Sequence, residues 1–218
     1  MKHLIIFGAP GSGKGTQSKK LEEKFGFKVV STGDLLRAEV ASGTEIGRNC
    51  ADIMAQGRFP DNEIIYQLIS KFISENSNVQ GILYDGFPRT IEQAEFLLST
   101  LKQRNETINN IINVQVEKNA LLKRIIGRFS CADCGEIYNK YYKMPTSEGI
   151  CNVCSSVNFK TRSDDIEDAV KTRLMMYEES TAPILDFFTA QRLNIAVIDG
   201  MQPMDDVFYQ IENILNIE

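Results

Sequence analysis

Two hydrophobic rhythms alternate along the chain. Short apolar runs at Leu4-Ile5-Ile6-Phe7, Lys28-Val29-Val30-Ser31, Gly81-Ile82-Leu83-Tyr84, Ile111-Ile112-Asn113-Val114-Gln115-Val116 and Leu193 to Ile198 read as strands. Between them, apolar residues recur at helical spacing. A helix from about Lys14 to Lys24 follows the first strand, and another starts at Thr32-Gly33-Asp34-Leu35-Leu36-Arg37 with a hydroxyl or carboxylate near its cap. Gly43-Thr44 splits the helical stretch that Gly57-Arg58-Phe59-Pro60 ends. Asp61 or Asn62 then caps a helix whose Ile64, Ile65, Leu68, Ile69 and Phe72 form a core stripe. A helix with Gln93 on its first turn precedes the Ile111 strand. The next begins near Lys118 and carries Arg124 and Arg128 four apart, hence on one face. Strands alternating with helices predict an α/β domain.

Two stretches depart from that pattern. The helical pair before Gly57 has few apolar residues (Ile46, Ile53, Met54), which marks a lobe rather than core, with Cys50 as buried packing. From Phe129 to about Arg162 periodicity vanishes, and Tyr, Cys, Asn and Gly dominate. Beyond it, Asp164-Asp165 is expected to cap a long helix holding Arg173, Met176 and Tyr177. Pro183 should kink or interrupt that helix before it ends near Arg192. Asp199-Gly200 turns into a C-terminal helix from about Pro203.

A chain of 218 residues can bury one full core and still carry one or two small inserted lobes. The net charge of −5, with Lys and Arg scattered, argues against nucleic acid as a partner. No leader-like N-terminus and no membrane-length apolar run are visible, so the expectation is a soluble cytoplasmic protein without a membrane partner. There is no internal repeat. Of the five cysteines, four stand as Cys131-x2-Cys134 and Cys151-x2-Cys154, sixteen residues apart. In a reducing compartment that spacing points to one tetrahedral zinc held by two knuckle turns, closed to water and therefore structural.

The chemistry announces itself between the first strand and the first helix. Gly8-Ala9-Pro10-Gly11-Ser12-Gly13-Lys14-Gly15-Thr16 is a phosphate cradle, in which glycines let backbone N–H groups turn inward at a positive helix end and Lys14 reaches the outer phosphates. The hydroxyl usual directly after the lysine is displaced: Gly15 stands there and Thr16 follows. Asp85 ends a strand, where open α/β sheets bind ligands and where a P-loop protein holds magnesium.

Gly8 to Thr16, Thr32-Gly33-Asp34-x2-Arg37, Asp85-Gly86-Phe87-Pro88-Arg89-Thr90 with Gln93, Gly127-Arg128, and Arg162-x-Asp164-Asp165 with Arg173 together resemble the adenylate kinase family over essentially the whole chain. The resemblance implies a P-loop kinase with a parallel core sheet (1–30, 61–127, 163–218), a small helical AMP-binding lobe (31–60) and a long, zinc-bearing lid (128–162) holding Cys131, Cys134, Cys151 and Cys154. It implies magnesium-dependent phosphoryl transfer from ATP to AMP by a monomer. Gly11, Ser12, Gly13, Lys14, Gly15 and Thr16 would cradle ATP, with Arg124, Arg128, Ile137, Tyr138 and the main chain of Gln202. Thr32, Arg37, Arg58, Phe59, Pro60, Gly86, Phe87, Pro88, Arg89 and Gln93 would hold AMP, assisted by Arg162 and Arg173. Lys14, Arg89, Arg128, Arg162, Arg173 and Asp85 would carry catalysis. Two departures are visible: Arg58-Phe59-Pro60 differs from the usual Leu-Val-Pro-Asp-Glu run, and Asn139 stands where the family often has His. Thr32 and Gln93 speak against a UMP or GMP acceptor. A nucleic-acid-binding ribbon would want more charge than Lys140, Lys143 and Lys160 supply.

Overall fold

The computed structural model describes residues 1–215. Strand β1 (Lys2–Phe7) leads through the glycine turn into α1 (Lys14–Phe25), and β2 (Lys28–Ser31) runs into α2 (Thr32–Ala41), α3 (Glu45–Ala55) and α4 (Asn62–Glu75). Then β3 (Gly81–Asp85) precedes α5 (Ile91–Gln103), and β4 (Asn110–Gln115) precedes α6 (Lys118–Ile126). Three short strands follow, β5 (Arg128–Cys131), β6 (Ile137–Asn139) and β7 (Phe159–Lys160). The chain returns through α7 (Glu167–Met176), a π-helical turn at Tyr177–Thr181 and α8 (Pro183–Ala190) to β8 (Ile195–Asp199) and α9 (Met204–Leu215). The expected helix from Pro203 starts at Met204, and what was expected beyond residue 215 lies outside the described residues.

The apolar runs pair in the order β2-β3-β1-β4-β8, all parallel. Helical crossovers cover both faces, so the alternating side chains of β1 feed two cores. Ile5 and Phe7 pack with Ile65, Leu97, Ile184 and Phe188 on one face, while Leu4 and Ile6 pack with Leu21, Leu83, Val114 and Ile211 on the other. Because β1 lies at the centre, its loop emerges in the middle of the carboxyl edge. Reversal of strand order there opens a crevice. No helix among the described residues is long and apolar enough to cross a membrane.

The helical pair α2 and α3 is entered through hydroxyl caps: Ser31 Oγ accepts from Asp34 N at 3.3 Å, and Thr44 Oγ1 from Gly47 N at 3.0 Å. Although poor in aliphatic residues, the pair sends fully buried Leu36 and Cys50 into the first core. The stretch expected to be aperiodic contains a three-stranded antiparallel sheet in the order β6-β5-β7. It has a small core of its own, in which Phe129, Tyr138 and Phe159 lie ring to ring at 5.5–5.7 Å.

Two local expectations are corrected and a third is given its form. Helix α6 stops at Ile126, Gly127 caps it and Arg128 opens β5, so Arg124 and Arg128 do not share a helical face. A Cβ at Gly127 would come 2.7 Å from Asn139 Oδ1 and from the Tyr141 ring, so the incoming chain occupies the space a continuing helix would need. Nor do Asp164 and Asp165 cap α7. Its cap residue is Ile166, without a side-chain bond, because both carboxylates are turned to arginines. Finally, the interruption expected at Pro183 takes the form of a widened turn before it, closed by Ala182 N donating to Tyr177 O at 2.8 Å. Proline has no N–H to give and its ring clashes with the carbonyl four residues back, and the wider turn removes that clash.

At the far end of β1, the single histidine of the chain is fully buried. His3 Nδ1 lies 3.0 Å from the Tyr84 hydroxyl and Nε2 lies 3.3 Å from Glu106 Oε2. Burial lowers its pKa from the ordinary 6.5, and Glu106 only partly opposes this. The folded value therefore lies below the unfolded one, so the contribution of neutral His3 to stability is complete above about pH 6.5 and is lost as the pH falls toward the folded value. Urea unfolding from about pH 7.5 to about pH 5.5 should show stability declining, and His3→Gln should flatten that decline. An equal slope in the variant would remove His3 from the explanation.

Candidate functional site

The loop after β1 bends back on itself. Gly13 caps α1 at φ 98°, and a Cβ on Gly8 would come 2.5 Å from both Ser12 Oγ and Val114 O. Only glycine meets both conditions without strain. No side chain caps α1, so its first N–H groups and the positive end of its dipole face the crevice. Lys14 lies folded over the loop, donating to Gly8 O at 2.5 Å and Ala9 O at 3.0 Å. Burial brings its pKa down to about 8, with Asp85 opposing the shift and Arg89, Arg173 and Arg128 adding to it. Asp85 lies opposite Ile6 in the sheet and accepts from Ser18 Oγ at 3.3 Å. Burial raises its pKa, and Lys14 works against that. A Cβ on Gly15 would already touch Asp85 Oδ2 at 3.5 Å. The displaced hydroxyl thus leaves the approach to the carboxylate clear.

The crevice encloses about 1690 Å3, more than the roughly 300–1,000 Å3 of a site for one small ligand. Both sides of the cradle are furnished. On one side stand Arg37, Arg58, Phe59, Pro60, Arg89 and Gln93; on the other Arg124, Ile137, Tyr138 and Gln202. Gly11, Ser12, Thr16, Gly86 and Pro88 line the floor. Thr32 and Phe87 stand behind the wall: Thr32 Oγ1 donates to Gly86 O at 2.9 Å, and Phe87 is fully buried. Tyr138 turns its hydroxyl away, within 3.3 Å of Cys151 Sγ, and there accepts from Asn152 N at 2.8 Å. Asn139 is occupied structurally, with Nδ2 donating to Arg124 O at 2.8 Å and Oδ1 accepting from Tyr141 N at 2.9 Å. Arg124 itself donates to Gly200 O at 3.0 Å, beside Gln202.

Five arginines converge here, and the structure supplies partners that sequence inspection did not. Arg37 donates twice to Asp34 Oδ1, at 2.5 and 3.2 Å, and Arg162 lies 3.6 Å from the same oxygen. Burial pushes the Asp34 pKa up, but Arg37 and Arg162 outweigh it and hold the carboxyl below its usual range. Arg128 forks onto Asp165 at 2.8 and 2.6 Å, and Arg173 meets Asp164 at 3.0 Å and Asp165 at 3.1 Å. Arg89 donates to Gly86 O at 2.6 Å and stacks 3.7 Å over the Phe59 ring. Burial, then Arg173, takes Arg89 down to about 9, and burial, then Arg128, takes Arg162 to about 10. Both remain cations at neutral pH. Thr181, at the end of the π turn, donates to Arg89 O at 3.1 Å. The pairing of Asp34 with Arg37 was legible as neighbours three apart on a helix, whereas Asp165 is far from Arg128 in sequence and carried no such signal.

The four cysteines of the inserted sheet bring their Sγ atoms within 4.8 Å of one another. Cys131 and Cys154 are 3.5 Å apart, as are Cys134 and Cys151, and none is disulfide-bonded. A disulfide needs about 2.05 Å, whereas four thiolates at about 2.3 Å around a tetrahedral zinc lie about 3.8 Å apart. The donor set fits zinc and leaves no open position. Glu136, in the turn after Cys134, ties this sheet to α1 by accepting from Lys19 at 3.1 Å, with Lys143 on its other oxygen at 2.5 Å.

A model of the adenylate kinase family matches residues 6–193. Adenylate kinases of Zymomonas mobilis, Sphingopyxis alaskensis and Methanosarcina barkeri are 42%, 43% and 38% identical over 213 residues each. Each match covers 98% of this chain and 95%, 97% and 98% of the respective relative. A full-length match that takes in the glycine cradle, the arginine crevice and the cysteine sheet leaves one conclusion: the chain belongs to the adenylate kinase family and is a nucleoside monophosphate kinase.

Proposed function

We propose that this crevice moves the γ-phosphoryl group of ATP to AMP, reversibly, to give two ADP. One observation carries the reading: Lys14, Arg37, Arg89, Arg128, Arg162 and Arg173 converge on a single crevice of an acidic chain, between two furnished sides. An AMP phosphate oxygen attacks the γ-phosphorus as the bond to the β-phosphate oxygen breaks. No base is required, because the attacking oxygen is already anionic. Catalysis is therefore alignment and charge stabilisation. The donor lies along Gly11 to Thr16 with Arg124 and the main chain of Gln202 at its base, and Lys14 exchanges the carbonyls of Gly8 and Ala9 for phosphate oxygens. Arg37 and Arg89 take the AMP phosphate, with Gln93 and Phe59 at the acceptor base. Arg128, Arg162 and Arg173 trade their aspartates for the transferred group.

Residues 31–60 form the acceptor lobe and 128–162 the lid, carried on a core of 1–30, 61–127 and the return segment from 163. Asp85, at the carboxyl end of β3, would orient magnesium through its waters, and the ion when bound neutralises phosphate charge. The cysteine cluster holds a zinc that orders the lid. By family resemblance the enzyme is a cytoplasmic monomer acting on free nucleotides.

Two expectations follow from these roles. Lys14→Ala and Arg89→Ala should each lower kcat/KM for AMP phosphorylation at least ~100-fold, since one contact that strengthens in the transition state is worth about 3 kcal/mol, while thermal melts stay near the parent. Wild-type kinetics in both would place the chemistry elsewhere. Cys134→Ser should lose stoichiometric zinc by metal analysis and melt at a lower temperature, with only a partial loss of kcat. Intact stability with abolished chemistry would instead make the metal catalytic.

A further inference from the structure

We infer that Asn62 sets the choice of acceptor base by holding the Gln93 amide in one orientation. The inference rests on the reading that Gln93 meets that base. A glutamine by itself selects little between purines. Its amide carries an acceptor and a donor side by side, and turned over it presents the reverse order. A 6-aminopurine offers an amino donor beside a ring-nitrogen acceptor; a 6-oxopurine offers a carbonyl acceptor beside a ring N–H donor. A freely turning amide matches either, so selectivity must come from whatever stops it turning.

Both ends of this amide are held. Gln93 sits almost fully buried on the first turn of α5, where Oε1 accepts from the backbone N–H of Arg89 at 2.8 Å. Nε2 donates to Asn62 Oδ1, on the first turn of α4, at 2.7 Å. A primary amide has two acceptor lone pairs and two hydrogens. One of each is used, which leaves one of each for a base. Turning the amide over would set its NH2 against the Arg89 N–H, a donor that cannot adapt, and its oxygen against Asn62 Oδ1, so both bonds are lost unless Asn62 turns its own amide over as well. Without Asn62 the reversed orientation sacrifices only the Arg89 bond, and a bidentate 6-oxopurine can compensate for that. Asn62 is a positioning residue, acting on the base through Gln93.

Inosine monophosphate is the sharpest probe, because it differs from AMP only at this edge. With MgATP as donor, Asn62→Leu and the shorter Asn62→Ala should each reduce the AMP-over-IMP ratio of kcat/KM about tenfold. The change should appear as a raised KM for AMP and improved use of IMP, with kcat for AMP shifting less than about twofold. Asn62→Asp, which keeps an acceptor for Nε2, should restore the parent ratio. Gln93→Ala is measured beside them. If it collapses the ratio while the Asn62 variants leave it at the parent value, the Asn62 inference is overturned and Gln93 stands. If the ratio survives in every variant, both readings are overturned together.

Discussion

Gathering six cations in one desolvated crevice is the condition on which the rest of this structure depends. An unpaired buried charge costs several kcal/mol, and like charges packed together add to it. Burial lowers the pKa of Lys14, Arg89, Arg162 and Arg173, with Arg173 or Arg128 among the cations that add to each shift. Asp34, Asp85, Asp164 and Asp165 are the answer within the chain. Asp34 and Asp165 each serve two arginines. Under the proposed function, substrate binding is then an exchange of anions rather than the filling of a bare positive pocket.

How much of this could be read beforehand depended on sequence distance. The cradle is contiguous, so Gly8 to Thr16 declared its conformation by composition, and the strand before it and helix after it fixed its place at the sheet edge. Arginines were legible as chemistry but not as geometry. Arg124 and Arg128 look like neighbours on a helix until Gly127 ends it against Asn139, a contact made by residues of the inserted sheet. Likewise Asp164 and Asp165 have the composition of a cap, and only folding brings Arg128 and Arg173 to claim them. Asn62 passed as one of two capping candidates. Its bond to Gln93 spans two helices and has no local signature.

The inserted sheet shows how a small unit orders itself with little aliphatic material. Phe129, Tyr138 and Phe159 pack beside Cys131 and Cys151, so rings and sulfurs share one interior. The Tyr138 hydroxyl joins them by approaching Cys151 Sγ and accepting from Asn152 N. Apart from the buried fork of Arg128 on Asp165 at its base, its attachments to the core are polar and partly exposed: Asn139 on the end of α6, and Glu136 on Lys19. Such pairs are individually weak. On the proposed reading of this unit as a lid, firm packing inside and few polar contacts outside are what would let it move as a body.

The π turn between α7 and α8 does something comparable within a single rod. At about 100° per residue, eleven regular helical residues would carry Ile184 to within about 20° of Arg173, on the same face. Yet Arg173 lines the crevice while Ile184 and Phe188 are fully buried under the sheet. The widened turn absorbs one residue without advancing the helix, and so sets α8 back by about one residue's rotation. Register along the sequence and angle around the axis are thereby uncoupled. One helical segment serves two faces, and the angular phase of that segment, rather than any single contact, keeps its apolar stripe from being dialled round into the cations.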